Sequence, residues 1–300
     1  MEALYIHIAN KLESIRFGKP KHSGKLIDIA ELKTLELWRA VFAEFLAQIL
    51  FVFLGCASAI AINPTNSSDP VYLVKIALAF GLAIMALVQM IGHVSGGHIN
   101  PAVTVAMAVV MNISVVRAVL YVVAQVIGAI LGGFLLKGLT PHIFHKNLAV
   151  TSLGNGVTPA QGFGVELILT FVLVAVIFGT TDPNRPSFGS PALLIGLTVT
   201  LGHLAGINYT GSSMNPSRSL GSAIASNSWE HHWIYWVGPI AGGIVAALVY
   251  KLVLNPYKGI INLDEALTKM SSDDTVVVVP RDYVKDEKGK TLPQMTHISE

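Results

Sequence analysis

The chain has 300 residues, of which 52% are hydrophobic and only 13% charged, with a formal net charge of +2. Soluble domains carry about 25% charged residues, so this balance excludes an ordinary water-soluble fold, and no basic patch interleaved with aromatics is present to track a nucleic acid. The single Cys56 lies in an apolar run; one cysteine excludes an intrachain disulfide and a zinc cluster, and it reads as a small buried hydrophobe.

The N-terminal arm, residues 1–34, holds Lys11, Arg16, Lys19, Lys21, Lys25 and Lys33 and shows no short apolar run followed by a small-residue cleavage site. A membrane span needs about 20 apolar residues. Six segments meet that length, at roughly 37–61, 71–91, 114–136, 160–180, 190–207 and 233–254. Two further apolar pieces, Pro101 to about Val110 and Pro216 to about Ile224, are too short to cross. Half-spanning helices persist in a bilayer only where their broken backbone faces protein or water, so both loops are expected to dip inward and line a cavity. The expected fold class is an all-α membrane protein with six transmembrane helices and two half-spanning re-entrant helices in an inverted repeat. Residues 257–300, with several Lys and Ser271-Ser272-Asp273-Asp274, read as a solvated and largely disordered cytoplasmic tail.

Each short piece opens with Asn-Pro behind a glycine-bearing loop: Ser95-Gly96-Gly97-His98-Ile99-Asn100-Pro101-Ala102 and Thr210-Gly211-Ser212-Ser213-Met214-Asn215-Pro216-Ser217. Asn is a good helix cap and Pro suits the first helical position, so two positive helix ends can meet at one depth. Aligning Asn100 with Asn215 sets an offset of 115, which also superposes Gly81 on Gly196, Ser95 on Thr210 and Gly96 on Gly211. The repeats are expected at about 35–136 and 158–256, within one domain at 35–256. Three spans in each half turn the second copy upside down, and each half opens with one glutamate in apolar surroundings, Glu44 and Glu166.

The basic N-terminal arm and Lys251 and Lys258 place both termini on the cytoplasmic side, as an even number of spans requires. The first dipping loop then enters from the cytoplasm and the second from outside. Asn66 in Asn66-Ser67-Ser68 becomes a candidate glycan acceptor on the outer face. Ser95 in the cytoplasmic loop and Ser271 in the tail are candidate phosphorylation sites.

The stretches His93-Val94-Ser95-Gly96-Gly97-His98-Ile99-Asn100-Pro101-Ala102, Gly202 to Gly211 and His232-Trp233-Ile234-Tyr235-Trp236-Val237-Gly238-Pro239 closely resemble the aquaporin family, and its water-selective branch, over nearly all of residues 35–256. The resemblance implies a right-handed bundle around a narrow pore, homotetramers with one pore per subunit, water and the lipid bilayer as partners, and no cofactor or metal. It further implies a narrow outer constriction at Phe80, His203, Ser212 and Arg218. A plasma-membrane channel is expected, conducting water passively down osmotic gradients while excluding protons and ions.

Arg218 stands three residues after Asn215. A guanidinium at membrane depth costs roughly 2.5–3.5 kcal/mol on insertion scales unless it meets water or acceptors, so it should face the pore and repel cations. His203 has few polar neighbours along its span, and with Phe80 opposite it would narrow the gap to about one water. Asn100 and Asn215 are expected to accept backbone N–H bonds through their side-chain oxygens and to leave each NH₂ free for a central water. The helix ends add a positive potential of roughly half a charge each. The carbonyls of Gly96, Gly97, His98, Gly211, Ser212 and Ser213 would supply acceptors along the path, beside the motif residues Pro101, Ala102, Pro216 and Ser217.

Glu44 and Glu166 admit two readings. Intramembrane acids can couple protons in an inverted-repeat transporter; the favoured reading is that each braces its dipping loop by accepting from backbone donors. Two positions depart from the family pattern: Ser217 stands where Ala is usual, and Ser212 where mercury-sensitive relatives carry Cys. Cys56 is expected away from the pore. A glycerol-conducting relative is the nearest alternative, but such relatives usually carry a small residue in place of His203 and often Asp after the Arg, where this chain has Ser219. No nucleophile elbow, phosphate loop or metal cluster supports an enzyme.

Overall fold

The structure is a computed structural model that describes residues 26–60, 70–182, 189–255, 283–285 and 291–293. Asn66, Ser271 and most of both termini therefore lie outside the described residues. A 3-10 turn, Ile29–Lys33, leads into α1, Leu35–Ser58, whose first turn is capped by Thr34 accepting from Leu37 N. Then follow α2 (Pro70–Ser95), the half helix α3 (Pro101–Val109), α4 (Val115–Leu139), α5 (Pro159–Thr181), α6 (Pro191–Thr210), the half helix α7 (Pro216–Ser226) and α8 (Ile234–Val249). One π turn, Tyr250–Leu254, extends α8. In the tail, Tyr283–Lys285 pairs antiparallel with Thr291–Pro293.

Local chemistry explains the boundaries. Proline occupies the first turn of α3, α5, α6 and α7, where its missing N–H costs no intrahelical bond. Thr158 and Gln161 form a reciprocal capping box at the start of α5, and Ser114 caps α4 by accepting from Arg117 N. Gly211, at φ 76°, ends α6 in the left-handed region that favours glycine.

Six helices, α1, α2, α4, α5, α6 and the α8 extension to Leu254, are long and apolar enough to cross a bilayer. Their outward faces carry exposed Phe42, Leu82, Val119 and Leu201, while Glu44, Gln48, Gln125, Glu166 and Thr170 are buried. Apolar outside and polar inside is the arrangement that lipid favours.

The packing repeats about a pseudo-two-fold axis. Helix α1 packs on α2 and α4 as α5 packs on α6 and α8. Each half helix lies against the last span of the other repeat, α3 on α8 and α7 on α4. At the centre α2 crosses α6 through the repeat-equivalent Gly81 and Gly196. A Cβ on Gly81 would lie 2.5 Å from Gly196 O, and one on Gly196 would lie 2.6 Å from Gly81 O. Only glycine permits backbones to approach this closely.

Candidate functional site

Both dipping loops are built by the same bonds, with donors 115 residues apart that converge on one glutamate in each repeat. Glu44 Oε1 accepts from Ser95 Oγ at 2.6 Å and His98 N at 2.9 Å, and Oε2 accepts from Ile99 N at 2.6 Å. Glu166 Oε1 accepts from Thr210 Oγ1 at 2.6 Å and Ser213 N at 2.8 Å, and Oε2 accepts from Met214 N at 2.8 Å. Each carboxylate thus fills donors that an irregular buried backbone would otherwise leave unpaired. The bonds turn both loops sharply: Ile99 and Met214, neither a glycine, are held at φ 49° and 50°. Sparsely populated backbone of this kind persists only where its surroundings over-determine it.

The Asn caps meet between the loops. Asn100 Oδ1 accepts from Ala102 N at 2.8 Å, and Asn215 Oδ1 accepts from Arg218 N at 3.2 Å. Asn100 Nδ2 donates to Met214 O at 2.8 Å, and Asn215 Nδ2 donates to Ile99 O at 2.7 Å. This corrects the expectation that each NH₂ is wholly free. One hydrogen of each amide ties its half helix to the opposite loop, because Ile99 and Met214 turn their carbonyls across the axis, and one hydrogen remains. The carbonyls of Gly96, Gly97, His98, Gly211, Ser212 and Ser213 accept no hydrogen bond among the described residues. They are available to a polar molecule.

A narrow cavity of about 30 Å³ runs past these groups, bounded by His98, Asn100, Asn215, Val103, Ile195 and His203 among others. That is room for about two waters. The walls between the polar groups are apolar, supplied by residues such as Phe51, Val88 and Leu173.

Three of the four expected constriction residues form a cluster at the His203 end. The Phe80 ring stacks on His203 with centroids 4.4 Å apart, and Arg218 Cζ lies 4.8 Å from the Phe80 centroid. Neither Phe80 nor Arg218 is on the cavity wall itself. His203 Nδ1 lies 2.9 Å from Val199 O. A carbonyl only accepts, so Nδ1 carries a proton, and in the neutral ring Nε2, buried and unpaired among the described residues, presents a lone pair. Arg218 Nη1 donates to Ala149 O at 2.8 Å. The connection between α4 and α5 also ties down α7 through Thr151 and Ser219, whose hydroxyls are 2.9 Å apart. The fourth residue, Ser212, turns its hydroxyl into α6, donating to Gly202 O at 3.0 Å.

Ser217 Oγ points along the half helix to Asn215 Oδ1. Cys56 is fully buried in the apolar core, one residue from Gly55, which packs on the Phe80 ring. Ser95 corrects its expectation as a phosphorylation site. It is 1% exposed and its hydroxyl is committed to Glu44, because it ends α2 inside the first loop instead of standing in solvent.

Several contributors lack a local sequence signal. Gln125 Nε2 donates to Glu44 Oε2 at 2.9 Å and to Thr104 Oγ1 at 3.0 Å; a lone amide in an apolar span is the one hint it leaves. Tyr121 OH donates to Ser95 O at 2.9 Å, and Ala149 supplies only its backbone.

Six spans, two half helices meeting tip to tip and a polar-lipped internal cavity define an inverted-repeat membrane protein of the channel or transporter class. The family model described as Major intrinsic protein matches residues 31–250, and the chain belongs to that family. It is 51% identical to Aquaporin-5 of Sus scrofa, over 89% of this chain and 99% of that one. It is 52% identical to Aquaporin-2 of Bos taurus, over 75% of this chain and 82% of that one. The X-ray structure of the aquaglyceroporin from Plasmodium falciparum superposes with a TM-score of 0.66 at 29% identity, covering 73% of this chain and 98% of that chain.

Proposed function

We propose that this protein is a passive, water-selective membrane channel. The observation that carries the reading is the pairing of Asn100 and Asn215, each held by the opposite loop with one N–H left over, beside unpaired loop carbonyls and between apolar walls. A water passing the centre accepts from both amides and has its lone pairs engaged there. The positive ends of α3 and α7 oppose cations at the same point, equivalent to roughly half a charge each. Glu44 and Glu166 act as braces that hold the loops in this form, with no proton transfer in the transport step.

Phe80, His203 and Arg218 serve as the size and charge filter, with Ser212 alongside. The narrow cluster favours water over glycerol, although the fold itself is shared with an aquaglyceroporin. The relatives named aquaporins, about half identical over most of the chain, support the same reading. Both termini are assigned to the cytoplasmic side, the plasma membrane is the assigned location, and a homotetramer is the assigned assembly.

The test is stopped-flow light scattering on proteoliposomes, with shrinkage in an impermeant osmolyte compared with re-swelling in glycerol. Fast shrinkage without glycerol entry is expected, and the His203→Ala, Arg218→Val double variant should gain glycerol entry. Fast glycerol entry in the unmodified chain would reassign it as a solute channel. No acceleration of water would overturn the channel reading.

A further inference from the structure

Residues 26–39 run from the turn before α1 into its first turns and present large apolar side chains outward. Leu26, Ile27, Ile29 and Leu35 are 51%, 60%, 66% and 62% exposed. Trp38 is half exposed, with its indole N–H donating to Leu32 O at 3.0 Å. Lys33 and Arg39 are exposed in the same stretch, balanced there by exposed Glu36 and half-buried Asp28, so the excess of positive charge comes from the residues before it. Apolar side chains, an indole and cations at the start of a span are the composition that a headgroup layer takes up. The sequence before it adds Lys11, Arg16, Lys19, Lys21 and Lys25 against Glu2 and Glu13. A basic cluster beside a span favours an anionic leaflet.

The acid of the turn faces the other way. Glu31 is buried, and its Oε2 accepts from Arg117 Nε at 3.2 Å and Ser114 Oγ at 3.1 Å. Val115 N adds a bond to Leu26 O at 3.0 Å, so the turn is fastened to the start of α4. From there the contacts run inward. Arg117 Nη1 donates to Tyr121 OH at 3.2 Å, Tyr121 OH donates to Ser95 O, and the Tyr121 ring packs edge-on to His98 at 5.4 Å. His98 is on the cavity wall. Three side chains therefore connect the exposed turn to the conducting path.

We propose that residues 26–39 dock on a layer of anionic phospholipid headgroups, and that Glu31, Arg117 and Tyr121 carry this docking to the first dipping loop. The coupling half of the proposal rests on the channel reading above; the docking half does not. A turn seated on lipid holds the Glu31 to Arg117 bridge closed, which fixes Ser95 and His98. A turn pulled from the surface loosens them. Lipid shifts the balance between the two states only through its preference for the seated one.

The test uses the full chain in vesicles of phosphatidylcholine alone and of phosphatidylcholine with phosphatidylserine in both leaflets, which makes the result independent of insertion direction. Docking is read as quenching of Trp38 by headgroup-labelled phosphatidylserine, taken as the difference from Trp38→Phe. Coupling is read as water permeability per channel. Phosphatidylserine should increase the quenching and raise permeability several-fold. The Lys33→Glu, Arg39→Glu variant should weaken quenching. Glu31→Gln should keep the quenching and lose the permeability response, and Arg117→Lys, which keeps a cation but cannot reach Glu31 and Tyr121 through separate nitrogens, should do the same. Equal quenching by labelled phosphatidylcholine would overturn docking on anionic lipid. A permeability response that survives both Glu31→Gln and Arg117→Lys would overturn the coupling. A chain that conducts no water in either lipid would defeat the channel reading and the coupling with it, while the quenching would still decide the docking.

Discussion

Ser217 Oγ donates to Asn215 Oδ1 at 2.8 Å, so the second cap oxygen accepts from a hydroxyl as well as from Arg218 N. The equivalent residue in the first repeat is Ala102, where Asn100 Oδ1 is satisfied by one backbone N–H. The extra donor fixes the amide of Asn215 without entering the conducting path. Ser217→Ala should cost about 1 kcal/mol of stability, the usual worth of one hydrogen bond. Water permeability per channel in proteoliposomes should stay within a few-fold. A large loss would mean that the hydroxyl orients the pore-facing amide and does more than support it.

The crossing of α2 and α6 sets a sharper steric test. At Gly81 an added methyl would meet Gly196 O at 2.5 Å and also the Thr200 hydroxyl, and a backbone carbonyl cannot swing aside. Gly81→Ala should cost about 1–3 kcal/mol through overpacking, seen as a lower unfolding temperature in detergent and reduced folded yield. Gly138→Ala is the matched control. A methyl there meets nothing within 4 Å, and the better helix former adds at most about 1 kcal/mol one residue from the helix end.

Lys137 and Lys251 are equivalent in the two repeats, each 114 residues from the other's place, as are Tyr121 with Tyr235 and Gly128 with Gly242. Lys137 Nζ donates to Ala225 O at 2.7 Å, and Lys251 Nζ donates to Val110 O at 2.8 Å. Each ammonium therefore caps the outer, negative end of a half helix. The π turn at Tyr250–Leu254 carries Lys251. Charge at such an end is worth about 0.3–1 kcal/mol. Lys137→Met and Lys251→Met should each lower the unfolding temperature by about 1–3 °C, and the pair should add, since the two ends are far apart. Arg at either place should restore most of the loss.

His232 lies just before α8, half-buried, and its Nε2 accepts from Trp236 Nε1 at 3.2 Å. Burial pushes its pKa below the ordinary 6.5. The unfolded chain therefore takes up the proton first, and the contribution of neutral His232 is full above about pH 6.5 and is lost as pH falls below it. Acid should destabilise the native chain more than His232→Gln, as read from unfolding temperature between neutral and mildly acidic pH. An identical pH profile in the two proteins would contradict the assignment.

The spans and both loops were legible because their causes are local. Apolar length marks the helices, and Asn-Pro marks the tips. The offset of 115 even carries the bond pattern, since Ser95 and Thr210, His98 and Ser213, and Ile99 and Met214 hold matching places. What escaped is tertiary. The donation of Asn100 to Met214 O spans 114 residues and depends on two left-handed residues that composition does not mark. Ser95 read as a loop serine because its burial comes from Glu44, 51 residues earlier. Glu31 and Arg117, 86 residues apart, pair only through the tertiary fold, and no local pattern in the sequence marks either.

The two buried carboxylates distinguish a braced channel from a proton-coupled transporter. Every oxygen of Glu44 and Glu166 accepts at least one backbone N–H from its loop. In Glu44→Gln or Glu166→Gln one oxygen becomes an NH₂, which cannot accept. Ser95, Gln125 and Thr210 can reorient to receive from it, but one backbone N–H in each loop is left facing a donor. An unmet buried donor costs about 1–3 kcal/mol, and it falls on the segment that positions Asn100 or Asn215. Both variants should unfold at lower temperature and conduct less water per channel, with no response to an imposed proton gradient in either the variants or the native chain. Solute uptake that follows a proton gradient in the native protein and vanishes in Glu44→Gln, with thermal stability unchanged, would instead place that carboxylate in a transport step.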